Sequence, residues 1–150
     1  WLPKNIPDDD ETTIVHGDYR LDNMILRNNE VIGILDWELS TLGHPIADFS
    51  YHCLSWRTQE AFWDEAKLKE LGIPSEKEYM EMYCKYSGKD LSKNWEFYMA
   101  FNMFKIAGIL QGILGRVRDG TAASKHAEER GNMVFPLSQA AWETIEDNFH

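Results

Sequence analysis

The stretch His16-Gly17-Asp18-Tyr19-Arg20-Leu21-Asp22-Asn23, followed later by Asp36-Trp37-Glu38, decides how the rest of the chain is interpreted. Ile14-Val15, directly before this stretch, is β-branched and predicts a short strand. Asp18 then falls in the loop where that strand ends. The stretch therefore predicts a loop that carries a carboxylate, close to further carboxylate and carboxamide groups.

A β-hairpin is predicted immediately after this loop. The apolar runs 24–26 and 31–35 flank Asn28-Asn29, and asparagine tolerates the left-handed conformations of a tight turn. A two-residue turn there places Asn23 opposite Ile34, with Asp36 two residues beyond on the same face. The regular register pairs Leu26 with Val31, Ile25 with Ile32 and Met24 with Gly33.

Asn23 and Asp36 are the candidate metal ligands. Diagonal neighbours in a hairpin lie about 7–8 Å apart, which lets one amide oxygen and one carboxylate share an ion. Oxygen ligands in low number suit Mg²⁺, which keeps several waters and takes other ligands from substrate phosphates. Asp18, outside that pair, is free to act as a base.

The spacing His16-x-Asp18-x-x-x-x-Asn23 matches the catalytic loop of phosphoryl-transfer enzymes, with Gly17 where protein kinases usually carry Arg. The run VHGDYRLDN…ILDWELSTLGHPIADFS resembles the aminoglycoside phosphotransferase and choline kinase-like family over roughly residues 14–52. The form DWELSTLGHP is most similar to the branch with kinase-like domains fused to acyl-CoA dehydrogenases.

The resemblance implies a role for each matched residue. Asp18 would be the catalytic base and His16 would support the loop. Asn23 and Asp36 would hold Mg²⁺ and, through it, ATP. Asp48 would brace the loop by accepting backbone hydrogen bonds. Glu38 could contact a second metal or a substrate cation. The favoured interpretation is that it is simply an exposed carboxylate.

Each site residue also has a plain structural reading when it is taken singly. Asp18 can form a turn, Asn23 a cap, Asp36 a strand-end turn and His16 a hydrogen-bonded core position. Taken together they favour the catalytic reading, because an accidental match to the loop pattern is expected only about a few times per million starting points. Asp36, at the far end of a plausible hairpin, lowers that expectation further.

The remaining sequence predicts an α+β fold that is predominantly helical, a protein-kinase-like carboxy-terminal lobe with a small hairpin carrying the site. Residues 1–13 are interpreted as an extended loop or linker and residues 14–150 as the lobe. The predicted helices are 46–56, 59–71, one from the capping box Ser75–Glu78, 91–117 and 135–149, the last with Trp142 and Ile145 inward. Residues 122–130 are interpreted as either a short polar helix or a mobile loop.

The helix 91–117 raises the question of a membrane span, because its segment 97–115 is strongly apolar. Asn102, Lys105 and Gln111 interrupt it, and a lysine is costly in lipid, so a buried central helix is favoured. Gly108, Gly112 and Gly115 lie on one side and predict close approach of a neighbouring helix.

Composition limits the possible partners and compartment. The net charge of −10 argues against nonspecific binding to nucleic acid or anionic membranes. The two cysteines, Cys53 and Cys84, lack metal or redox spacing, and no secretory signal opens the chain, so cytoplasmic localisation is expected.

The elements that hold nucleotide phosphates are not found in this sequence. It has neither GxGxxG nor GxxxxGK[ST], and only fifteen residues precede His16. We therefore expect a missing amino-terminal lobe, and an isolated fragment with little activity.

The leading hypothesis is an ATP- and Mg²⁺-dependent kinase of small hydroxylated metabolites, represented here by its carboxy-terminal lobe. A hydroxyacyl-CoA is one acceptor that the resemblance suggests, with aminoglycosides or choline-like amines as weaker candidates. The alternative is a noncatalytic kinase-like binding or docking module.

Overall fold

The structure is a computed structural model that describes residues 1–58 and 65–149. In this part of the chain, two small antiparallel sheets precede a larger set of helices, which confirms the predicted α+β class. The strands are β1 (Thr13–Val15), β2 (Met24–Arg27), β3 (Glu30–Ile34) and β4 (Thr41–Gly43). The helices are α1 (Ile46–Cys53), α2 (Glu65–Glu70), α3 (Glu76–Ser87), α4 (Trp95–Arg118), α5 (Ala127–Asn132) and α6 (Val134–Phe149).

The hairpin β2–β3 turns at Asn28-Asn29, as predicted, and both residues have positive φ (53° and 63°). Its register differs from the regular one, because Leu26 pairs with Val31 but Ile25 pairs with Gly33. The extra residue, Ile32, forms a bulge that strict alternation does not foresee. The prediction that Asn23 lies opposite Ile34 is therefore wrong. Asn23 instead accepts the N–H of Leu35 at 2.8 Å.

The predicted strand at Ile14-Val15 is present in β1, and its partner is β4. Strand β4 was not among the elements predicted from the sequence. A strand of three residues is too short to show an alternation of apolar and polar residues. Its apolar residue Leu42 and the paired Ile14 are also largely exposed (71% and 69%), so burial does not mark the strand either. Between the sheets, Trp37–Leu39 forms a short 3-10 helix.

Helices α1 and α4 form the centre of the core. In α4 the first half is buried, and Met99 and Met103 are fully enclosed. Asn102, also buried, donates to the carbonyl of Ala47 at 2.9 Å and to the hydroxyl of Ser50 at 2.8 Å, which fixes α4 against α1. The core residues include, from α1, from α4 and from the segment directly before α4, Ile46, Phe49, Cys53, Leu91, Trp95, Met99 and Met103.

The length and mean hydropathy of α4 would be sufficient to cross a membrane, and 39% of its most apolar window is buried inside the protein. Its contacts with α1, α5 and α6 are those of a central packing helix. Two of its polar interruptions have partners in the protein, since Asn102 contacts α1 and Lys105 donates to the carbonyl of Gly17. These contacts agree with the buried central helix expected from the sequence.

Helix α3 begins with the predicted capping box. The hydroxyl of Ser75 accepts from the N–H of Glu78, and the carboxylate of Glu78 accepts from the N–H of Ser75 at 2.8 Å. Tyr83 of α3 stacks on Phe49 with ring centroids 3.9 Å apart, so this face of the helix packs on the core. Tyr86, in contrast, is 80% exposed.

Arg57 connects three parts of the fold. The residue follows the short 3-10 helix Leu54–Trp56 that continues α1, and its guanidinium binds Glu76 of α3 and Glu96 of α4. The Nη2–Oε1 distance to Glu76 is 2.7 Å. The single cation faces two carboxylates and compensates them only in part, and Glu76 also accepts the indole N–H of Trp95 at 2.9 Å.

The segment predicted as an extended linker is irregular, but it lies on the core. Trp1 contacts Phe97 with ring centroids 6.1 Å apart, and Leu2–Lys4 forms a short 3-10 helix. The carboxylate of Asp9 lies 3.2 Å from Nε2 of His44. The segment therefore packs against the helical part of the chain.

The carboxy-terminal helices pack on α4. Ile145 of α6 is buried as predicted, but the inward position predicted for Trp142 is wrong because that residue is 50% exposed. Of the segment 122–130, interpreted as a helix or a loop, the part from Ala127 onward is helical and begins α5. The predicted helix 59–71 falls partly outside the described residues, and Glu65–Glu70 is the part observed.

The predicted close approach at Gly108, Gly112 and Gly115 is wrong. A Cβ added at Gly108 or Gly115 would meet no described atom within 4 Å. The close approach is at Gly131 of α5, where a Cβ would lie 2.6 Å from Cδ2 of Leu114. Sequence spacing identified small residues on α4, but the glycine that a close helix contact requires is on α5.

Substitution of alanine at these glycines should change stability in opposite directions. Gly131→Ala forces a Cβ against Leu114 and should lower the free energy of unfolding by about 1–3 kcal/mol. Gly108→Ala, in an open helix position, should raise it by about 0.5–1 kcal/mol. Urea denaturation of both variants measures the two effects, and effects of the same sign would contradict the assigned packing.

Candidate active site

His16 is buried, with 2% of its surface exposed, and its ring links two parts of the site. Its Nδ1 accepts the backbone N–H of Asp18 at 3.2 Å, and its Nε2 lies 2.7 Å from the carbonyl oxygen of Leu35. Since Nδ1 accepts and a carbonyl can only accept, Nε2 carries the proton and donates it to Leu35. The ring thus fixes the loop of Asp18 to the end of β3.

Asp48, in the first turn of α1, accepts hydrogen bonds from two successive backbone N–H groups of the loop. One comes from Gly17 at 2.8 Å and the other from His16. The structure therefore contains the backbone contacts that the family resemblance led us to expect at Asp48. They join the loop to the central helical core.

Gly17 needs to be glycine for two reasons. Its φ of +83° is in the left-handed region, and a Cβ would lie 2.5 Å from the carbonyl oxygen of Leu39. That atom belongs to the backbone and cannot move aside as a side chain can. The glycine lets the loop pass close to the 3-10 helix Trp37–Leu39.

Asp18 accepts hydrogen bonds at both carboxylate oxygens. Tyr51 of α1 donates its hydroxyl to Oδ1 at 2.7 Å, and Asn23 donates its side-chain amide to Oδ2 at 2.9 Å. The guanidinium Nε of Arg20 lies 3.3 Å from Oδ2. The carboxylate is held by groups from three different places in the sequence.

The pKa of Asp18 lies below its ordinary value. Burial by itself would raise that pKa, but the hydrogen bonds from Tyr51 and Asn23 and the charges of Arg20 and Lys105 together lower it. Asp18 is therefore ionised at neutral pH and can accept a hydrogen bond from a hydroxyl.

Asn23 and Asp36 are brought together by the end of the hairpin. The backbone oxygen of Asn23 is bonded to the N–H of Leu35, the residue directly before Asp36. The amide group of Asn23 donates to both the backbone and the side chain of Asp18, and its side-chain oxygen takes no part in these two bonds. Asp36 has a left-handed backbone (φ 65°) and an exposed side chain.

This donor set fits Mg²⁺, because it offers one amide oxygen and one carboxylate and leaves the rest of the shell to water and phosphate. In residues 1–58 and 65–149, no group of three or more His, Cys, Asp or Glu residues is arranged to hold a metal ion. A cation at this place would therefore take few of its ligands from the described protein.

Glu38 lies in the 3-10 helix after Asp36, and its side chain is exposed. Its neighbour Trp37 packs on His16 with ring centroids 4.7 Å apart and donates its indole N–H to the carbonyl of Ile34 at 2.8 Å. Trp37 thus covers the buried histidine, whereas Glu38 faces solvent.

Sequence reasoning missed Tyr51, Lys105 and Arg20. Lys105 of α4 donates to the carbonyl of Gly17, and its Nζ lies 4.9 Å from the centre of the Tyr51 ring. Two features pointed to these residues. Tyr51 follows Asp48 by three positions on one helix, so both face the loop, and Lys105 is the single cation in the apolar segment 97–115.

Large apolar side chains are exposed around the loop and on the sheets beside it. Leu21 and Leu42 are 67% and 71% exposed, and Trp37 is 47% exposed. We call this set the loop-side apolar surface; its members are Ile14, Leu21, Leu26, Leu35, Trp37, Leu39 and Leu42. Exposed apolar surfaces of this kind mark interaction sites.

Comparison with known proteins agrees with the resemblance seen in the sequence. The family model described as "Phosphotransferase enzyme family" matches residues 1–83. A crystal structure from Ralstonia eutropha, described as a "putative aminoglycoside phosphotransferase", is 48% identical with a TM-score of 0.87. The alignment covers 98% of this chain and 47% of that one. The fold is thus the protein-kinase-like fold of these enzymes.

Longer proteins also match over nearly all of this chain. Acyl-CoA dehydrogenase family member 10 of Mus musculus is 43% identical over 150 residues, 95% of this chain and 14% of its own length. Family member 11 of Homo sapiens is 38% identical over 156 residues, 99% of this chain and 20% of its own length. This chain therefore spans a minor part of those relatives.

Asp48→Asn should weaken the loop because an amide offers only one oxygen to two N–H donors. We expect the free energy of unfolding to fall by about 2 kcal/mol, from the loss of a charge-assisted hydrogen bond. Amide hydrogen exchange should accelerate at His16 and Gly17. The matched control is Asp119→Asn, at a carboxylate that is 59% exposed, which should change stability by less than about 0.5 kcal/mol. Unchanged protection at both amides would contradict the bracing role.

Proposed function

The chain belongs to the phosphotransferase enzyme family, and from that premise we propose that it is the carboxy-terminal lobe of an ATP- and Mg²⁺-dependent O-phosphotransferase of small molecules. The observation that carries this proposal is the Asp18 carboxylate, held at both oxygens by Asn23 and Tyr51 in the loop after β1. A structural aspartate does not need such an arrangement next to a second, exposed carboxylate at Asp36.

In the proposed reaction, Asp18 accepts the hydrogen bond of the acceptor hydroxyl and then its proton. The hydroxyl oxygen forms a bond to the γ-phosphorus of ATP, and the bond from that phosphorus to the β,γ-bridging oxygen breaks, so that ADP leaves. Because phosphoryl transfer involves little covalent chemistry by the protein, the residues contribute mainly position and charge. Asp18 orients the hydroxyl, and His16 and Asp48 hold the loop in place.

Asn23 and Asp36 are the residues that would hold Mg²⁺, and through it ATP. When bound, the ion would neutralise charge on the phosphate oxygens. Asn23 contributes its side-chain oxygen because its amide hydrogens are used on Asp18. Glu38, exposed close to Asp36, is kept as a solvent-facing carboxylate in this proposal.

The loop-side apolar surface supports a second lobe that supplies the phosphate-binding backbone and lysine. Leu21, Leu42 and Trp37 are exposed, and Leu21 and Trp37 lie on the short segments that carry Asn23 and follow Asp36. The solved relative is longer, since this chain aligns with 47% of it. On this proposal, the chain alone has little or no kinase activity.

The acceptor is proposed to be a small hydroxylated metabolite. Relatives with names of acyl-CoA dehydrogenases favour a hydroxyl group on an acyl-CoA, and the solved relative's description favours an aminoglycoside. A net charge of −10 is compatible with a cationic acceptor, whereas an acyl-CoA needs local cations such as Arg116 and Arg118 at the end of α4. Assays with both classes, and with choline-like amines, distinguish them.

Asp18→Asn should abolish turnover while leaving the fold intact. In the complete protein that contains this chain, ADP formation from Mg²⁺-ATP with a panel of hydroxylated acceptors should fall by at least about 100-fold, the usual contribution of a positioned base. The matched control, Asp22→Asn, changes a nearby aspartate that is 80% exposed and should retain activity.

Two results would contradict the proposal. Near-normal turnover by Asp18→Asn would remove the assigned base. A complete protein that binds acceptors but never consumes ATP would favour the alternative, a noncatalytic kinase-like binding module.

The metal assignment can be tested without turnover by titrating the protein with Mn²⁺, a paramagnetic substitute for Mg²⁺. NMR signals of Asn23 and Asp36 should broaden first, because their oxygens are the proposed ligands. Asp36→Asn should reduce this broadening, and Asp119→Asn should not. Broadening confined to the acidic run 8–11, with Asn23 still sharp, would show that the metal assignment is wrong.

A further inference from the structure

Tyr51 is a residue of the site that neither the motif nor the family match identifies. It lies on α1, 33 residues after Asp18 in the sequence, and its hydroxyl donates to Oδ1 of Asp18 at 2.7 Å. Asp48 and Tyr51 share one face of α1, so the helix that braces the loop backbone also contacts the carboxylate. The same short helix thus fixes both the position of Asp18 and the orientation of its side chain.

The two carboxylate oxygens of Asp18 are bound by two different parts of the fold. Tyr51 binds Oδ1 from the helical core, and Asn23 binds Oδ2 from the start of the hairpin. The last torsion of an aspartate side chain has a broad energy minimum, so the carboxylate plane turns easily without such contacts. With both contacts present, the plane of the carboxylate is set.

The oxygens differ in how many acceptor positions remain. Oδ2 accepts from Asn23 and lies within ion-pair distance of Arg20, whereas Oδ1 accepts from Tyr51 among the described residues. A carboxylate oxygen can accept about two hydrogen bonds. Oδ1 therefore keeps a position for an incoming hydroxyl, directly beside the Tyr51 hydroxyl.

The Tyr51 hydroxyl stays a donor over the whole working range of pH. Burial raises the pKa of Tyr51, and the hydrogen bond to the Asp18 carboxylate raises it further. Lys105 lies against the ring of Tyr51, 4.9 Å from its centre, and also binds the carbonyl of Gly17. The lysine therefore contacts both the tyrosine and the residue before Asp18.

We propose that Tyr51 is a positioning residue that holds the Asp18 carboxylate so that Oδ1 receives the proton of the acceptor hydroxyl, and that Lys105 keeps Tyr51 and the loop in register. This inference rests on the proposed function, since it assigns a role within that reaction. Tyr51 touches neither ATP nor the reacting atoms and acts through Asp18.

Tyr51→Phe removes the hydroxyl and keeps the ring against Lys105. In the complete protein, kcat should fall by about tenfold, the effect of one hydrogen bond to a charged group, with KM for ATP unchanged. The acid limb of the kcat/KM profile should move to higher pH, because the pKa of Asp18 loses a hydrogen bond that lowers it. Lys105→Met, which removes a positive charge near the same carboxylate, should move that limb in the same direction.

Tyr79→Phe is the matched control. Tyr79 is also a half-buried tyrosine, packed beside Phe49 and Trp56, but its hydroxyl makes no hydrogen bond to the described residues. Its substitution should leave kcat and the acid limb as in the unmodified protein. A Tyr51→Phe variant that behaves like Tyr79→Phe in both respects would overturn the inference.

A second measurement separates this inference from the proposed function. The carboxyl carbon of Asp18, labelled with ¹³C and assigned by Asp18→Asn, is titrated by NMR without ATP or acceptor. The pKa of Asp18 should rise in Tyr51→Phe and stay constant in Tyr79→Phe. If no acceptor is ever phosphorylated, the proposed function fails, and this titration still tests the contact. An unchanged Asp18 pKa in Tyr51→Phe overturns the inference whatever the activity.

Discussion

The geometry of the site depends on a buried imidazole that bonds at both ring nitrogens. His16 accepts from the backbone of Asp18 and donates to the carbonyl of Leu35, so the loop and the end of β3 cannot separate without leaving polar atoms unpaired in the interior. Leu35 in turn donates to the carbonyl of Asn23. Asp18, Asn23 and Asp36 therefore keep a common frame although they lie on different segments.

Two kinds of aspartate perform different tasks in this frame. Asp48 binds only backbone groups and replaces water for two N–H groups of the loop. Asp18 is held by side chains and keeps an acceptor position. The core fixes the positions of both aspartates, because buried Asn102 joins α4 to the helix that carries Asp48 and Tyr51. Packing in the helical part thus sets the position of groups in the polar loop.

The sequence predicted the features that local spacing encodes. These include the loop and turn around Asp18, the asparagine turn of the hairpin and the capping box at Ser75. It could not predict features that depend on distant contacts. Tyr51 and Lys105 reach the loop across 33 and 88 residues of sequence. The bulge at Ile32 also breaks the regular alternation that the predicted register assumed.

The lowered pKa of Asp18 has a consequence for the proposed chemistry. A carboxylate surrounded by Tyr51, Asn23, Arg20 and Lys105 is a weaker base than a free aspartate, which would be a disadvantage if the hydroxyl had to lose its proton before attack. In a loose phosphoryl-transfer transition state, little charge develops on the attacking oxygen, so the base needs to orient the hydroxyl and accept its proton late. The contacts around Asp18 favour orientation over basicity, which is the balance such a reaction requires.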